Sequence, residues 1–277
     1  MAEKLSDITV IILTKNEEKN IEKCISSAKQ IARRILVVDS GSVDRTVALA
    51  KENGAEIVYH EWFGHAAQFN WALDNCGIKT EWVFRLDADE RVTEQLANEI
   101  QSLMQSPEIA YYNACEMRWQ MYFMGKHLKH GGTHKTYVTR LFRFGKAYVE
   151  DKAMDERFIV DGKIKRLKND FIHYDYKGLD EWLIKHIRYS NLELTAYSGN
   201  TCSNYVMANQ KQKKRRGLYY MLPRYIRVRF YFWYRYYLQL GFLDGEAGKI
   251  FIYLQAYWYR FLVDAKIYEM ENSGENQ

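Results

Sequence analysis

"WVFRLDADERV", residues 82–92, is the stretch whose reading decides the fold. Trp82 to Leu86 reads as a buried strand, and it runs straight into Asp87, Asp89 and Glu90. Carboxylates this close repel one another. A solvated turn tolerates them, whereas a doubly charged cation gives them a purpose. In an extended chain, side chains two apart share a face, so Asp87 and Asp89 point the same way. Two such carboxylates make an oxygen site for Mg²⁺ or Mn²⁺, and magnesium favours one or two protein carboxylates plus substrate phosphates.

Upstream, strands and helices alternate. "ITVIILT" (8–14) is an apolar, β-branched run. "NEEKNIEKCISSAKQI" places Ile21, Cys24, Ile25 and Ala28 at helical spacing, with Asn16 as the expected N-cap. "RRILVVDS" (33–40) is a second buried strand, "VDRTVALAKENG" a helix stopped at Gly54, and "AEIVYH" (55–60) a third strand. "GHAAQFNWALDNC" is a third helix; "TEQLANEIQSLMQS" starts at Thr93 as N-cap and stops before Pro107. This alternation predicts βαβ crossovers and an α/β fold with a mostly parallel sheet covered on both faces. Ligands of such sheets bind at the carboxyl ends of the strands. The polar clusters Thr14–Glu17, Asp39–Asp44 and Asp87–Glu90 fall there, which argues for one site.

In "DSGSVDRT" (39–46), Asp39 ends a strand, Ser40, Gly41 and Ser42 allow a tight turn, and Asp44 can cap the next helix. The bland reading is an ordinary strand–turn–helix connection. The functional one has Asp39 accepting hydrogen bonds from a nucleobase or ribose. "TKNEE", taken alone, is a helix cap and first turn.

With 277 residues, 47% hydrophobic and 27% charged, the chain suffices for a sizeable core. The opening "MAEKLSDITVIILTKNEE" lacks the features of a secretory signal. Cys24, Cys76, Cys115 and Cys202 show neither metal nor disulfide spacing, so a reduced, cytoplasmic compartment is expected. No apolar run approaches the ~20 residues of a membrane span. Residues 110–175 look β-rich, and the chain reads helical from Glu181. In "GKIFIYLQAYWYRFLVDAKIYE", one stripe holds Ile250, Leu254, Tyr257, Phe261, Ala265 and Tyr268; Gln255, Arg260, Asp264 and Lys266 lie opposite.

Taken together, "VIILTKNEEKNIEKCI", "VVDSGSVDRTVALA", "GHAAQFNWALDN" and "WVFRLDADERV", in this order and spacing, resemble the family-2 glycosyltransferases of GT-A fold. The resemblance implies a Rossmann-like mixed, mostly parallel sheet, a nucleotide-diphospho-sugar donor, a divalent metal on the Asp-X-Asp, and transfer with inversion. "TRLFRFGKAYVED", "DGKIKRLKNDFIHYDY" and "LGFLDGEAGKIFIYLQAYWYRFLVDAKIYE" are similar to the bacterial lipopolysaccharide inner-core β-glucosyltransferases and their capsule and O-antigen relatives. That narrower likeness implies a UDP-sugar donor and a lipid-linked glycan acceptor, at the inner face of the cytoplasmic membrane.

By that similarity, Thr14, Asn16 and Glu17 border the uridine, Asp39 holds uracil or ribose, and Ser42 and Asp44 support the loop. Gln68 and Asn70 face the donor, and Arg85 balances the acidic pair. Asp87 contacts ribose or metal, and Asp89 binds the metal. The base that deprotonates the acceptor hydroxyl falls in "EDKAMDERF" as Glu156, with Asp155 second, where relatives carry a His-Glu pair. The alternative is a solvated acidic loop. His173 in "FIHYDY" is either a third metal ligand or a core histidine; neutral imidazole suits Mn²⁺. Trp119 and Arg140 are expected to shape the acceptor site, with packing as the alternative.

The expected organisation is a catalytic domain over 1–178, with a nucleotide-sugar half to about 105 and an acceptor half after it, and a helical, aromatic and basic appendage over 179–277. In that appendage Lys211, Lys213, Lys214, Arg215 and Arg216 could meet anionic headgroups, each basic residue being worth about 1 kcal/mol there. The competing reading packs the aromatic stripe on the core or in a homo-oligomer. No nucleic-acid motif is present, so nucleic acid ranks last as a partner. A nucleotidyltransferase also pairs acids around a metal, but would show a Gly-rich basic loop near its start. A binding module that lost catalysis would not need both Asp87 and Asp89.

Overall fold

All seven residues of β1 (Ile8–Thr14) are buried, because this strand lies in the interior of a sheet covered on both faces. Val10 and Ile12 enter one hydrophobic cluster, Ile11 and Leu13 the other. β2 (Arg34–Asp39) repeats the pattern, with Ile35 and Val37 against Leu36 and Val38. The alternation is the two-residue period of a pleated strand. The computed structural model describes residues 7–133, 136–150, 157–197, 219 and 221–273.

The first cluster is closed by α1 (Ile21–Ala28), through Ile21, Cys24, Ile25 and Ala28, by α2 (Thr46–Glu52), through Ala50, and by α4 (Glu94–Gln105), through Leu96, Ala97, Ile100 and Leu103. The second is closed by α3 (His65–Asn75), with Ala66, Phe69, Ala72 and Leu73. Burying each large aliphatic or aromatic side chain contributes about 1.5–3 kcal/mol. Thr93 caps α4 as expected, its hydroxyl accepting from the Leu96 amide at 3.2 Å. Asn16 is not a cap. It lies several residues before α1, at φ 55°, and is used elsewhere.

The sheet is mixed and mostly parallel, in agreement with the GT-A expectation. β3 (Glu56–Tyr59) pairs with β2, β2 with β1 and β1 with β4 (Trp82–Asp87), all parallel. After β5 (Glu90–Arg91) come β6 (Ala114–Met117), β7 (Trp119–Phe123), β8 (Lys126–Leu128) and β9 (Val138–Arg143). β10 (Ala147–Val149), β11 (Phe158–Val160), β12 (Ile164–Arg166) and β13 (Phe171–His173) follow. β9 runs antiparallel between β4 and β6, and β12 continues the sheet parallel to β6. In a second, smaller sheet β13 pairs antiparallel with β5 and parallel with β7.

The chain divides into two compact units, one holding residues through Tyr122 with Lys135–Asp151 and Asp155–Tyr176, the other holding Phe123–His134 and Lys177 onward. Within the second, α5 (Leu179–Tyr197) packs against the helix Tyr259–Ser273. Two π-helical stretches, Tyr234–Leu238 and Tyr253–Trp258, interrupt the regular helices. The buried residues are Phe251, Ile252, Ala256, Tyr259, Val263 and Ile267, recurring at ordinary helical spacing but on a different face from the anticipated stripe: Phe261 and Tyr268 are 41% and 54% exposed. Asp264, expected in solvent, is 2% exposed and ion-paired with Arg227. Among the described residues no helix is long and apolar enough to cross a membrane. The basic run Lys211–Arg216 lies outside the described residues.

Candidate active site

Strand register brings the polar clusters together. Thr14, the last residue of β1, stands opposite Asp39, the last of β2, and Leu13 stands opposite Asp87, the last of β4. All three strands point their carboxyl ends the same way, so their following loops share one edge of the sheet.

The Asp39 loop is built around its own carboxylate. Oδ2 accepts the amides of Gly41 and Ser42, both at 2.9 Å. Oδ1 accepts the hydroxyls of Ser42 and, at 3.3 Å, Thr14. The turn requires φ 84° at position 41, which a glycine adopts without steric cost. The loop after β1 is then stitched to it. The Asn16 amide donates to Ser42 Oγ at 2.9 Å, and Asn16 Oδ1 takes the Val43 amide at 2.9 Å. The Glu17 amide donates to Thr46 Oγ1 at 2.7 Å, and Asp44 accepts the amides of Glu18 at 3.2 Å and Thr46 at 3.0 Å. Six of the expected nucleotide-site residues, Thr14, Asn16, Glu17, Asp39, Ser42 and Asp44, therefore form one hydrogen-bonded ledge.

Beside this ledge lies the carboxylate cluster. Asp87 Oδ1 is 3.3 Å from Arg85 Nε and Oδ2 is 3.1 Å from Arg140 Nη2. The same Arg140 nitrogen ion-pairs with Glu90 Oε1, and Glu90 Oε2 accepts the Asp87 amide at 3.0 Å. Phe69 lies beneath Arg85 (5.5 Å) and Phe171 beneath Arg140 (5.4 Å), at cation–π range. Burial opposes ionisation of Asp87, yet the guanidiniums of Arg140 and Arg85 hold its carboxyl well below the usual carboxylate range. Burial likewise opposes the charge on Arg140, and Glu90 and Asp87 override it.

His173 joins the cluster from β13. Its Nε2 is 3.6 Å from Asp89 Oδ2 and its Nδ1 3.9 Å from Glu90 Oε1. The backbone around Asp89 is braced: its carbonyl accepts from the Tyr174 amide at 2.9 Å and from Arg91 Nη1 at 2.8 Å. Arg91 also donates to Tyr174 O and to Asn20 Oδ1, and Asn20 donates to Asp175 at 2.9 Å. Among the described residues no three His, Cys, Asp or Glu side chains form a complete metal cage. Asp89 and His173 form a pair of donors. That pair fits a cation that takes one or two protein ligands and completes its shell with phosphate oxygens.

Four expected residues have different surroundings. Gln68 is fully buried; its Nε2 donates to Ser40 Oγ at 2.9 Å and His60 O at 3.0 Å, and its Oε1 meets His60 Nδ1 at 2.6 Å. It braces the ledge from behind, through Ser40 and His60. Asn70 pairs with both backbone groups of Val149, at 2.7 and 2.9 Å, and fastens β10. Arg140, expected at the acceptor, clamps Asp87 and Glu90. Trp119 leans on the core, its ring centroid 6.4 Å from that of Phe171. Asp155 and Glu156 lie outside the described residues. Sequence reasoning passed over Glu90, Asn20 and Arg91 as site residues. Glu90 carried a signal, being the third acid of the opening stretch, but its burial follows from the opposing β13.

Residues 9–155 match the family model described as "Glycosyl transferase family 2". Over 111 residues the chain is 38% identical to an uncharacterized glycosyltransferase of Rickettsia bellii (strain RML369-C), a match taking in 40% of this chain and 37% of that relative. It is 28% identical over 274 residues to LpsC, a lipopolysaccharide core biosynthesis glycosyltransferase of Rhizobium meliloti (strain 1021), covering 95% of this chain and 92% of LpsC. Among solved structures, glucosyl-3-phosphoglycerate synthase of Mycobacterium tuberculosis, in complex with Mn²⁺, UDP and glucosyl-3-phosphoglycerate, aligns at 21% identity over 42% of this chain and 44% of that one, with a TM-score of 0.35.

Proposed function

This chain belongs to glycosyl transferase family 2, and on that premise we propose that it moves a glucose-like hexose from a UDP-sugar onto a lipid-linked glycan, with inversion. The observation that carries this reading is the shared edge formed by Thr14, Asp39 and Asp87 at the carboxyl ends of three parallel strands. The near full-length likeness to LpsC supports an acceptor in lipopolysaccharide core synthesis.

Thr14, Asn16, Glu17, Asp39, Ser42 and Asp44 present the ledge for uridine and ribose. Asp89 and His173, with Asp87 beside them, would hold Mn²⁺ or Mg²⁺. When bound, such an ion supplies Lewis-acid charge to the leaving diphosphate. Arg85 and Arg140 hold Asp87 ionised and fixed. The acceptor hydroxyl attacks the anomeric carbon from the face opposite UDP; the new C–O bond forms as the bond to the diphosphate oxygen breaks. Glu156, or Asp155 beside it, takes the hydroxyl proton.

The second unit supports a peripheral site on the inner face of the cytoplasmic membrane. Tyr225, Phe230, Trp233, Tyr237, Leu238 and Leu243 are exposed there, while Arg227, Arg235 and Asp264 are buried. An exposed aromatic and aliphatic surface that also carries the exposed Arg229 suits an anionic lipid boundary.

The test is a panel of UDP-, GDP- and dTDP-sugars with Mn²⁺, read by nucleotide release. Release from a UDP-hexose, lost in Asp89→Ala, is the expected result. Hydrolysis retained in Asp89→Ala excludes the metal role of Asp89.

A further inference from the structure

We propose that Arg140 is a resident counter-cation that keeps a divalent ion from settling in the carboxylate cluster until a nucleotide diphosphate arrives with it. This rests on the metal-dependent reading above. Both oxygens of Asp87 are engaged, one by Arg85 at 3.3 Å and one by Arg140 at 3.1 Å. Both oxygens of Glu90 are engaged as well, by Arg140 and by the Asp87 amide. The two arginine side chains are only 9% and 11% exposed, and each lies over a phenylalanine ring, so neither swings readily into water.

Charge sets the consequence. Asp87, Asp89 and Glu90 bring three negative charges to the cluster, Arg85 and Arg140 two positive ones, and Arg91 a third behind Asp89. A cluster whose charges nearly balance attracts a divalent ion weakly, and that ion meets a guanidinium across the cluster. A diphosphate reverses this balance, because it offers ligands to the metal and acceptors to the arginines, whose planar fork matches phosphate oxygens. Metal and nucleotide then bind as a mutually dependent pair. By linkage each raises the affinity of the other by the same factor, typically 5–150-fold.

The experiment titrates Mn²⁺ into the full-length protein and reads free Mn²⁺ by electron paramagnetic resonance, with and without UDP. The wild type is expected to hold Mn²⁺ at least about tenfold more tightly with UDP than without. Arg140→Gln is expected to tighten nucleotide-free Mn²⁺ by about tenfold and shrink the coupling equally, while Arg140→Lys, which keeps the charge but not the fork, leaves nucleotide-free Mn²⁺ as weakly held as in the wild type. Because Arg140→Gln strands Glu90, the pair Arg140→Gln/Glu90→Gln is measured alongside, with thermal melting as the check on folding; it is expected to show the same gain. If UDP-supported binding persists but neither neutral variant gains nucleotide-free affinity, the counter-cation role is overturned and the metal reading stands. If no variant binds Mn²⁺ even with UDP, the metal reading itself falls, and the inference with it.

Discussion

His173 Nε2 stands 3.6 Å from Asp89 Oδ2 because β13 runs antiparallel to β5 with His173 opposite Glu90. Two residues far apart in the chain thus become neighbours through a short strand pairing. At that 3.6 Å separation both side chains would reach one Mn²⁺ or Mg²⁺ ion. His173→Ala is expected to lower Mn²⁺ affinity in the presence of UDP by about 10- to 100-fold, measured by calorimetry. Unchanged affinity would make His173 a packing residue.

Gln68 is a bracket, and its loss should cost stability before it costs binding. Removing a buried amide with three partners costs roughly 1–3 kcal/mol. Gln68→Ala is expected to lower the melting temperature. A raised KM for the sugar nucleotide with no change in melting would place Gln68 on the donor instead.

His186 gives the second unit a dependence on pH. Burial pulls its pKa down to about 4, against the opposing pull of its hydrogen bond to the Trp182 carbonyl. It also stacks on the Trp182 ring at 3.5 Å. The unfolded chain, with an ordinary pKa near 6.5, binds the proton first. Stability is therefore full above about 6.5 and is lost as pH falls towards 4, by an amount on the order of 1–3 kcal/mol. Denaturant titrations across that window should show the decline in the wild type and a flatter profile in His186→Phe.

The pair Arg227–Asp264 is almost wholly buried. Removing one partner leaves an uncompensated charge, so Asp264→Ala should destabilise by about 3–5 kcal/mol. Arg227→Met/Asp264→Leu should recover most of the loss. Equal damage from the single and double variants would contradict this account.

The exposed apolar surface of the second unit should bind lipid. Flotation with anionic vesicles is expected to carry the protein upward, and Phe230→Ser/Trp233→Ser to reduce the bound fraction. Absence of flotation at every salt concentration removes the membrane reading.

The first four strands, their helices, the Thr93 cap and the placement of the acidic cluster were all legible in the linear chain. They depend on local periodicity: apolar residues alternating at two, or recurring near 3.6, report which face is buried whatever lies opposite. The proximity of His173 to the acids was anticipated only through family likeness. Tertiary structure alone decided that Arg140 would clamp Asp87 and Glu90, that Gln68 would brace the ledge, and that Asp264 would turn inward to Arg227. Each of those outcomes depends on a partner brought across the fold by strand register or by the packing of one helix on another. A buried charge or amide is stable only where its partner stands, and no local pattern in the chain states where that is.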